Sequence, residues 1–425
     1  MAAATSTTRT PPSSDAHRLP PASPEDDAEL SGPIPGNSKS DSPIPHLAKF
    51  HAPEVVFGPG ALAEIGHCAR RVGARRPFLV TDPGIIEAGW VAEATGYLHE
   101  VGLHPIVWSQ VTPNPKDHEI AAAYEHYAET GSDVILAVGG GSCIDAAKGV
   151  AILAGNGGAI LDFEGVDRVV NPIPPLVVAP STSGTGADVS QFAIVTDTTK
   201  RIKITIISRT LVPDISIVDP RLLITMPADL NAATGLDALT HAIESFVSRA
   251  HTRLTDQHSL QAVHLITDNL PHTLARPRRA GPRIAMAHGA LSAGLAFSNT
   301  ILGITHAMSH QVGGLLDAPH GVLNGVLLPH CIRFNAEVDP SPYVALAAAA
   351  GLDVARPADE IADALATHVR RLADSVGVPR GLADLGVTPE DIPVLTRTTL
   401  GDACLATNPR DADAHHIAAL FERAL

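Results

Sequence analysis

SDVILAVGGGSCIDAAKGVAIL, residues 132–153, decides how the first half of the chain folds. Val134 to Val138 is apolar and β-branched enough for a buried strand. Gly139, Gly140 and Gly141 follow without a side chain between them, and from Ser142 an Ala-rich run has helical character. A strand, a glycine loop and a helix in that order bring backbone amides to a helix N-terminus, where an anion binds readily, and Ser142 is placed to cap the helix. The run is not GxGxxG, and a glycine triplet also serves as a plain tight turn, so phosphate binding is one of two readings here.

The same pattern recurs on both sides of it. ARRPFLVTDPG predicts a strand over Pro77–Thr81 that ends in Asp82. HPIVWSQV predicts the next strand, and VTPNPKDHEI a turn leading into a helix. PLVVAP then leads into a polar loop, Ser181 to Gly186. Strands separated by helices predict a mostly parallel sheet covered on both faces. Two loops at strand C-termini suit a dinucleotide lying across the crevice there. Asp82, at a strand end, could accept hydrogen bonds from an adenosine ribose and repel a 2′-phosphate. By position alone it is better read as an ordinary turn residue before Pro-Gly.

After MPADLNAATG the strand signals fade into Ala- and Leu-rich helices broken by Gly and Pro. The predicted architecture is α/β followed by all-α: a Pro/Ser-rich disordered tail at 1–45, a dinucleotide-binding domain with a mostly parallel sheet at 46–228, and an all-helical metal-binding domain at 229–425. In GLDALTHAIESF, Asp237 and His241 lie four apart and share a helix face. THAMSHQVGGLLDAPHGV adds His306, His310 and His320. A carboxylate and three imidazoles without sulfur suit a divalent ion, and the ligand types do not separate Fe²⁺ from Zn²⁺. Charge and imidazole within apolar, Gly- and Ala-rich helices are costly to bury without such a partner.

The 425 residues are long enough for two sizeable cores. A formal net charge of −15 argues against nucleic acid or an anionic membrane as partner. No apolar run reaches membrane-spanning length, because Ala290 to Ile304 is interrupted by Ser292, Ser298, Asn299 and Thr300 and so reads as a buried helix. Cys68, Cys143, Cys331 and Cys404 are scattered and form no CxxC pair, which fits free thiols in a reducing cytoplasm. Cys143 reads as a small helix residue behind the glycine loop rather than a nucleophile.

From about Phe57 to Leu425 the chain resembles the iron-containing (type III) alcohol dehydrogenases. The resemblance rests on ordered motifs: FGPGAL at 57–62, TPNP at 112–115, GGGSCIDAAK at 139–148, STSGTGADVS at 181–190 and LVPDISIVDPRLLITMP at 211–227. GLDALTHAIES at 235–245, HAMSHQVGGLLDAPHG at 306–321 and DACLATNPR at 402–410 complete the series. It implies metal ligands at Asp237, His241, His306 and His320, with His310 a non-ligand beside the nicotinamide that helps relay protons. It implies pyrophosphate contacts at Gly140, Gly141 and Ser142, with Asp145 toward the nicotinamide. Further cofactor contacts fall at Thr182, Thr185, Lys203 and Asn114, and Asp82 becomes the residue that favours NAD over NADP. The second loop departs from the family pattern, with Ser181-Thr182-Ser183 and Ala187-Asp188 where Thr-Thr-Ala and Ser-Glu are common, although hydroxyl and carboxylate chemistry is kept.

The resemblance implies reversible hydride transfer between a short primary alcohol and NAD, with Fe²⁺ (or Zn²⁺) as the metal, in a cytoplasmic homo-oligomer, dimer or larger. The substrate is open among simple alcohols, a diol or an alcohol with an anionic head group. Glycerol-dehydrogenase-like or lyase chemistry, and a catalytically silent scaffold, are the alternatives.

Overall fold

Nine strands and fourteen α-helices are present among residues 49–200 and 202–425, the part of the chain that this computed structural model describes. The predicted tail at 1–45 lies outside it. The strands are β1 (Glu54–Phe57), β2 (Pro77–Val80), β3 (Ile106–Trp108), β4 (Val134–Gly139), β5 (Gly165–Val166), β6 (Leu176–Pro180), β7 (Phe192–Asp197), β8 (Ile202–Ile207) and β9 (Ile215–Val218). Between them run α1 (Ile65–Arg71), α2 (Pro83–Glu87), α3 (Trp90–Glu100), α4 (Asp117–Thr130) and α5 (Gly141–Asn156).

Six strands pair in the order β1-β9-β6-β4-β2-β3, every pair parallel. Alternate residues of the central strands enter separate cores. Phe78, Val80, Ile135, Ala137, Leu176 and Val178 pack on one face, while Leu79, Leu136, Val138, Val177 and Ala179 pack on the other. This is why these strands read as unbroken apolar runs rather than alternating ones. From β2 the chain goes outward to β3 and then crosses back to β4 on β2's other side. The order therefore reverses between β2 and β4, so that Asp82 and the glycine loop flank the crevice where ligands of such sheets bind.

Beside this sheet β7 and β8 form an antiparallel hairpin with Phe192 opposite Ile207 and Asp197 opposite Ile202, and β5 joins β8 in parallel. A mostly parallel sheet is what the sequence pattern predicts, and this hairpin, which that pattern did not single out, is the antiparallel exception. Beyond β9 all regular structure is helical: α6 (Ala228–Val247), α7 (Arg253–Ala275), α8 (Ala280–Thr300), α9 (Ile304–Leu316), α10 (His320–Ala336), α11 (Ser341–Ala349), α12 (Ala358–Ser375), α13 (Ile392–Thr399) and α14 (Ala414–Ala424). These helices share a core running from Leu236 to Ala424, distinct from the two cores on the sheet. No helix among the described residues is long and apolar enough to cross a membrane.

Two local expectations are corrected. Ser142 does not cap α5, because Gly140 takes that position and the Ser142 hydroxyl instead accepts the Asn114 amide at 3.2 Å. Nor is Ala290–Ile304 one helix: α8 stops at Thr300, Ile301 turns to φ 60°, and α9 restarts at Ile304.

Candidate active site

The break between α8 and α9 sets the site. Glu244 on α6 is buried, and its carboxylate accepts the amides of Gly303 at 3.1 Å and Thr305 at 2.7 Å. Asn408 Oδ1 accepts the Ile304 amide at 3.1 Å. These side chains satisfy the otherwise unpaired amides at the start of α9 and fix where His306 emerges. Glu244 Oε2 also lies 2.6 Å from His306 Nδ1, which leaves Nε2 to face inward. Asp237, His241 and Glu244 form one stripe on α6, at spacings of four and three.

Three imidazoles converge on one oxygen. His241 Nε2 is 3.8 Å, His306 Nε2 3.7 Å and His320 Nε2 4.0 Å from Asp237 Oδ1. Those separations are too long for hydrogen bonds. Donors about 2.1 Å from a shared cation stand roughly 3.0–4.2 Å apart, so the set fits a divalent metal. The donor atoms of Asp237, His241 and His306 all lie within 4.8 Å of one another. His320, whose side chain is 28% exposed, stands at the rim. It gets there because α10 begins hard against α6. A Cβ on Gly321 would collide with the Ala233 carbonyl oxygen and come within 3.1 Å of Asp237 Cβ. Asn324, one turn further along α10, donates to Asp237 Oδ1 at 2.8 Å.

Electrostatics favour a cation. Burial alone pushes the Asp237 carboxyl upward, but the surrounding imidazoles hold it well below the usual carboxylate range. Burial brings His241 down to about 4 and drives His320 well below its ordinary value. His306 moves the other way: burial disfavours its charge, yet Asp237 and Glu244 outweigh that and raise it to about 9. Without metal the cluster is therefore one imidazolium between two carboxylates.

His310 is not among the imidazoles within 4.0 Å of this oxygen. Its ring stacks on His320 with centroids 5.2 Å apart, and its Nδ1 lies 2.9 Å from Asp402 Oδ2. Asp402 also accepts Gln311 Nε2 at 3.2 Å and the Cys404 amide at 2.9 Å. His310, Asp402 and Cys404 are close enough to suggest a second ligand set. Burial pushes the Cys404 thiol well up, however, and a 2.9 Å contact is a hydrogen bond, so we read an oriented imidazole instead.

Asp82, Asn114, the glycine loop and the hydroxyl loop follow the C-terminal ends of β2, β3, β4 and β6, while Asp145 lies on α5 and Lys203 at the start of β8. The two loops touch: a Cβ on Gly140 would come within 3.2 Å of Thr182 Cγ2, and one on Gly141 within 2.8 Å of Thr185 Cγ2. Neither glycine could carry a side chain without displacing a threonine, and the groups this edge offers an anion are the amides at the start of α5 and the two threonine hydroxyls. Asp82 caps α2 by accepting the Ile85 amide at 3.0 Å, so the turn reading also holds. Asp145 faces the buried Lys148, whose ammonium donates to the Ser190 and Phe192 carbonyls at 2.7 Å each. Asn114, at φ 57°, donates its amide NH₂ to Asp317 Oδ1 at 2.8 Å. Lys203 on β8 is near enough to Asp317, Asp237 and His320 to feel their charge, and burial lowers its ammonium.

Phe297 joins the two halves of the site. A Cβ on Gly186 would come within 2.6 Å of its ring, and that ring stacks on His241 with centroids 4.3 Å apart. The hydroxyl loop thus lies one aromatic ring from the metal cluster. Glu244, Asn324, Asp402 and Asn408 were not singled out from sequence. Only Glu244 carried a local signal, as the third acidic or imidazole group on the α6 stripe.

Family models match almost all of the described chain. That for "iron-containing alcohol dehydrogenase" covers residues 52–220, and that for the "Fe-containing alcohol dehydrogenase family, C-terminal" covers 231–425. The chain is 38% identical to the 1,3-propanediol dehydrogenase of Citrobacter freundii over 87% of its own length and 96% of that protein. It is 35% identical to the NAD-dependent methanol dehydrogenase of Bacillus methanolicus, over 88% and 99%. A crystal structure of a 1,3-propanediol oxidoreductase superposes with TM-score 0.87 at 37% identity, covering 89% of this chain and all of that one. Sequence over both halves and backbone over 89% of the chain agree, and the chain belongs to the iron-containing alcohol dehydrogenase family.

Proposed function

We propose that this alcohol dehydrogenase and aldehyde reductase holds Fe²⁺ at Asp237, His241, His306 and His320, uses NAD, and acts on a short primary alcohol or diol. Zn²⁺ would suit the same ligands. The observation that carries the reading is the convergence of three imidazoles on Asp237 Oδ1, one ring away from the hydroxyl loop. A metal held by these four residues would lower the pKa of an alcohol hydroxyl and polarise an aldehyde carbonyl, and a nicotinamide would supply the hydride acceptor or donor.

The protein's own groups do the rest. Gly140, Gly141, Ser142, Thr182 and Thr185 line the cradle for the pyrophosphate, and Asp82 accepts from the ribose. Lys203, Asn114 and Asp145 stand along the cofactor's path. His310, held by Asp402, passes the alcohol proton toward solvent. The apolar surround of Phe297, Leu302 and Ala307 keeps water from the reacting carbon. Residues 46–228 and 229–425 act as two domains with the chemistry between them, in a cytoplasmic homo-oligomer. The choice of a short substrate draws on the relatives named for 1,3-propanediol and methanol.

The test is a panel of short alcohols and aldehydes assayed with NAD(H) and NADP(H) on Fe²⁺-loaded enzyme. NADH formation from methanol-to-butanol chain lengths or from 1,3-propanediol, faster than NADPH formation, is the expected result. Metal and cofactor binding without turnover of any of them would leave only a silent scaffold.

A further inference from the structure

Asp82 is held from two sides. One carboxylate oxygen, Oδ1, accepts the Ile85 amide at 3.0 Å, and the other, Oδ2, accepts the Cys143 thiol at 3.1 Å. Cys143 is fully buried in the first turn of α5, behind the glycine loop. A Cβ on Gly139 would come within 2.5 Å of its sulfur and within 3.6 Å of Asp82 Oδ2, so thiol, loop and carboxylate meet at one point beside the β2–β4 crevice. Burial and the neighbouring carboxylate both push this thiol well up, which keeps its proton in place as a donor.

We propose that Cys143 is a positioning residue for cofactor choice: its thiol pins the Asp82 carboxylate where it accepts from a ribose and repels a 2′-phosphate. The proposal rests on the NAD reading of Asp82. A carboxylate tied only through Oδ1 is free to rotate toward solvent. Losing the second tie would then weaken NAD binding and open room for the phosphate together.

The experiment compares Cys143→Ala, Cys143→Ser and Asp82→Gly as Fe²⁺-loaded enzymes, reading kcat/KM for NAD and NADP with one alcohol. Hydrogen bonds to a charged group are worth enough for removal of a weak thiol donor to lower the NAD-to-NADP ratio about fivefold in Cys143→Ala. The change should lie mostly in KM, and Cys143→Ser, which keeps a donor, should restore the ratio. A merely structural role would lower both activities alike and leave the ratio unmoved. If Cys143→Ala keeps the wild-type ratio while Asp82→Gly collapses it, the thiol's role is overturned and the Asp82 reading stands. If Asp82→Gly leaves the ratio unchanged, both fall. Should the alanine variant fold poorly, equilibrium titration of NADH and NADPH fluorescence on Cys143→Val, which fills the site without a donor, gives the same comparison: a lowered ratio of affinities supports the thiol's role and a wild-type ratio overturns it.

Discussion

Glu244 Oε2 lies 2.6 Å from His306 Nδ1 and, through the same carboxylate, accepts two amides at the start of α9. One buried acid therefore fixes both where His306 stands and which of its nitrogens is free. Carboxylates behind ligating imidazoles typically contribute 10–100-fold in metal affinity. Glu244→Gln, which keeps the shape but loses the charge, should weaken Fe²⁺ or Zn²⁺ binding by about tenfold or more in anaerobic equilibrium dialysis. Unchanged affinity would reduce Glu244 to a helix cap.

His310 and Asp402 should separate chemistry from metal binding. Neither approaches the oxygen on which the ligands converge. His310→Ala is expected to slow turnover by about a hundredfold, in the range of lost general acid–base catalysis, while metal content stays near that of the parent. Asp402→Asn should lower kcat by about tenfold, because the imidazole keeps its place but loses the acceptor that selects its tautomer. Loss of metal in His310→Ala would move His310 into the ligand shell.

Metal uptake should depend steeply on pH. His306 is raised to about 9, so below that pH the metal-free site carries a proton that the cation must displace. The other ligands lose no proton near neutrality, because Asp237 is held low and His241 and His320 are already neutral. Affinity should thus fall by about tenfold per pH unit below 9, or about a hundredfold between pH 8.5 and 6.5. Calorimetry in two buffers at pH 7.5 should record close to one proton released per metal. A flat affinity over that interval would contradict the proton on His306.

Gly321 tests the packing that delivers His320. Adding a methyl there meets the Ala233 carbonyl, and the backbone of α10 must shift away from α6. Overpacking of this kind costs about 1–3 kcal/mol. Gly321→Ala should lower the melting temperature and reduce metal content together. Gly314→Ala is the control: it is exposed on α9 with nothing within 4 Å, and should affect neither adversely.

What the sequence disclosed follows how local each signal is. The strand, glycine loop and helix at 134–156 are contiguous, and Asp237 and His241 share one helix face, so both were readable. Asp402 and Asn408 sit in DACLATNPR, far along the chain from His310 and Ile304, and only packing brings them together. The link between Asp82 and Cys143 spans 61 residues and depends on β2 lying beside β4. The β7–β8 hairpin was not read, because Phe192–Asp197 runs four apolar residues before Thr196 and Asp197 and its alternation shows only in the burial of the folded strand. Ser142 was misread because a glycine, with no side chain to offer, holds the cap position before α5.

The proposed chemistry requires one cation held by Asp237, His241, His306 and His320. A crystal of Fe²⁺-loaded protein measured at the iron edge tests it most directly. The predicted result is a single anomalous peak per chain, about 2.1 Å from one carboxylate oxygen and three imidazole Nε2 atoms, that vanishes in Asp237→Ala. A peak elsewhere, or none at saturating Fe²⁺ or Zn²⁺, would contradict it.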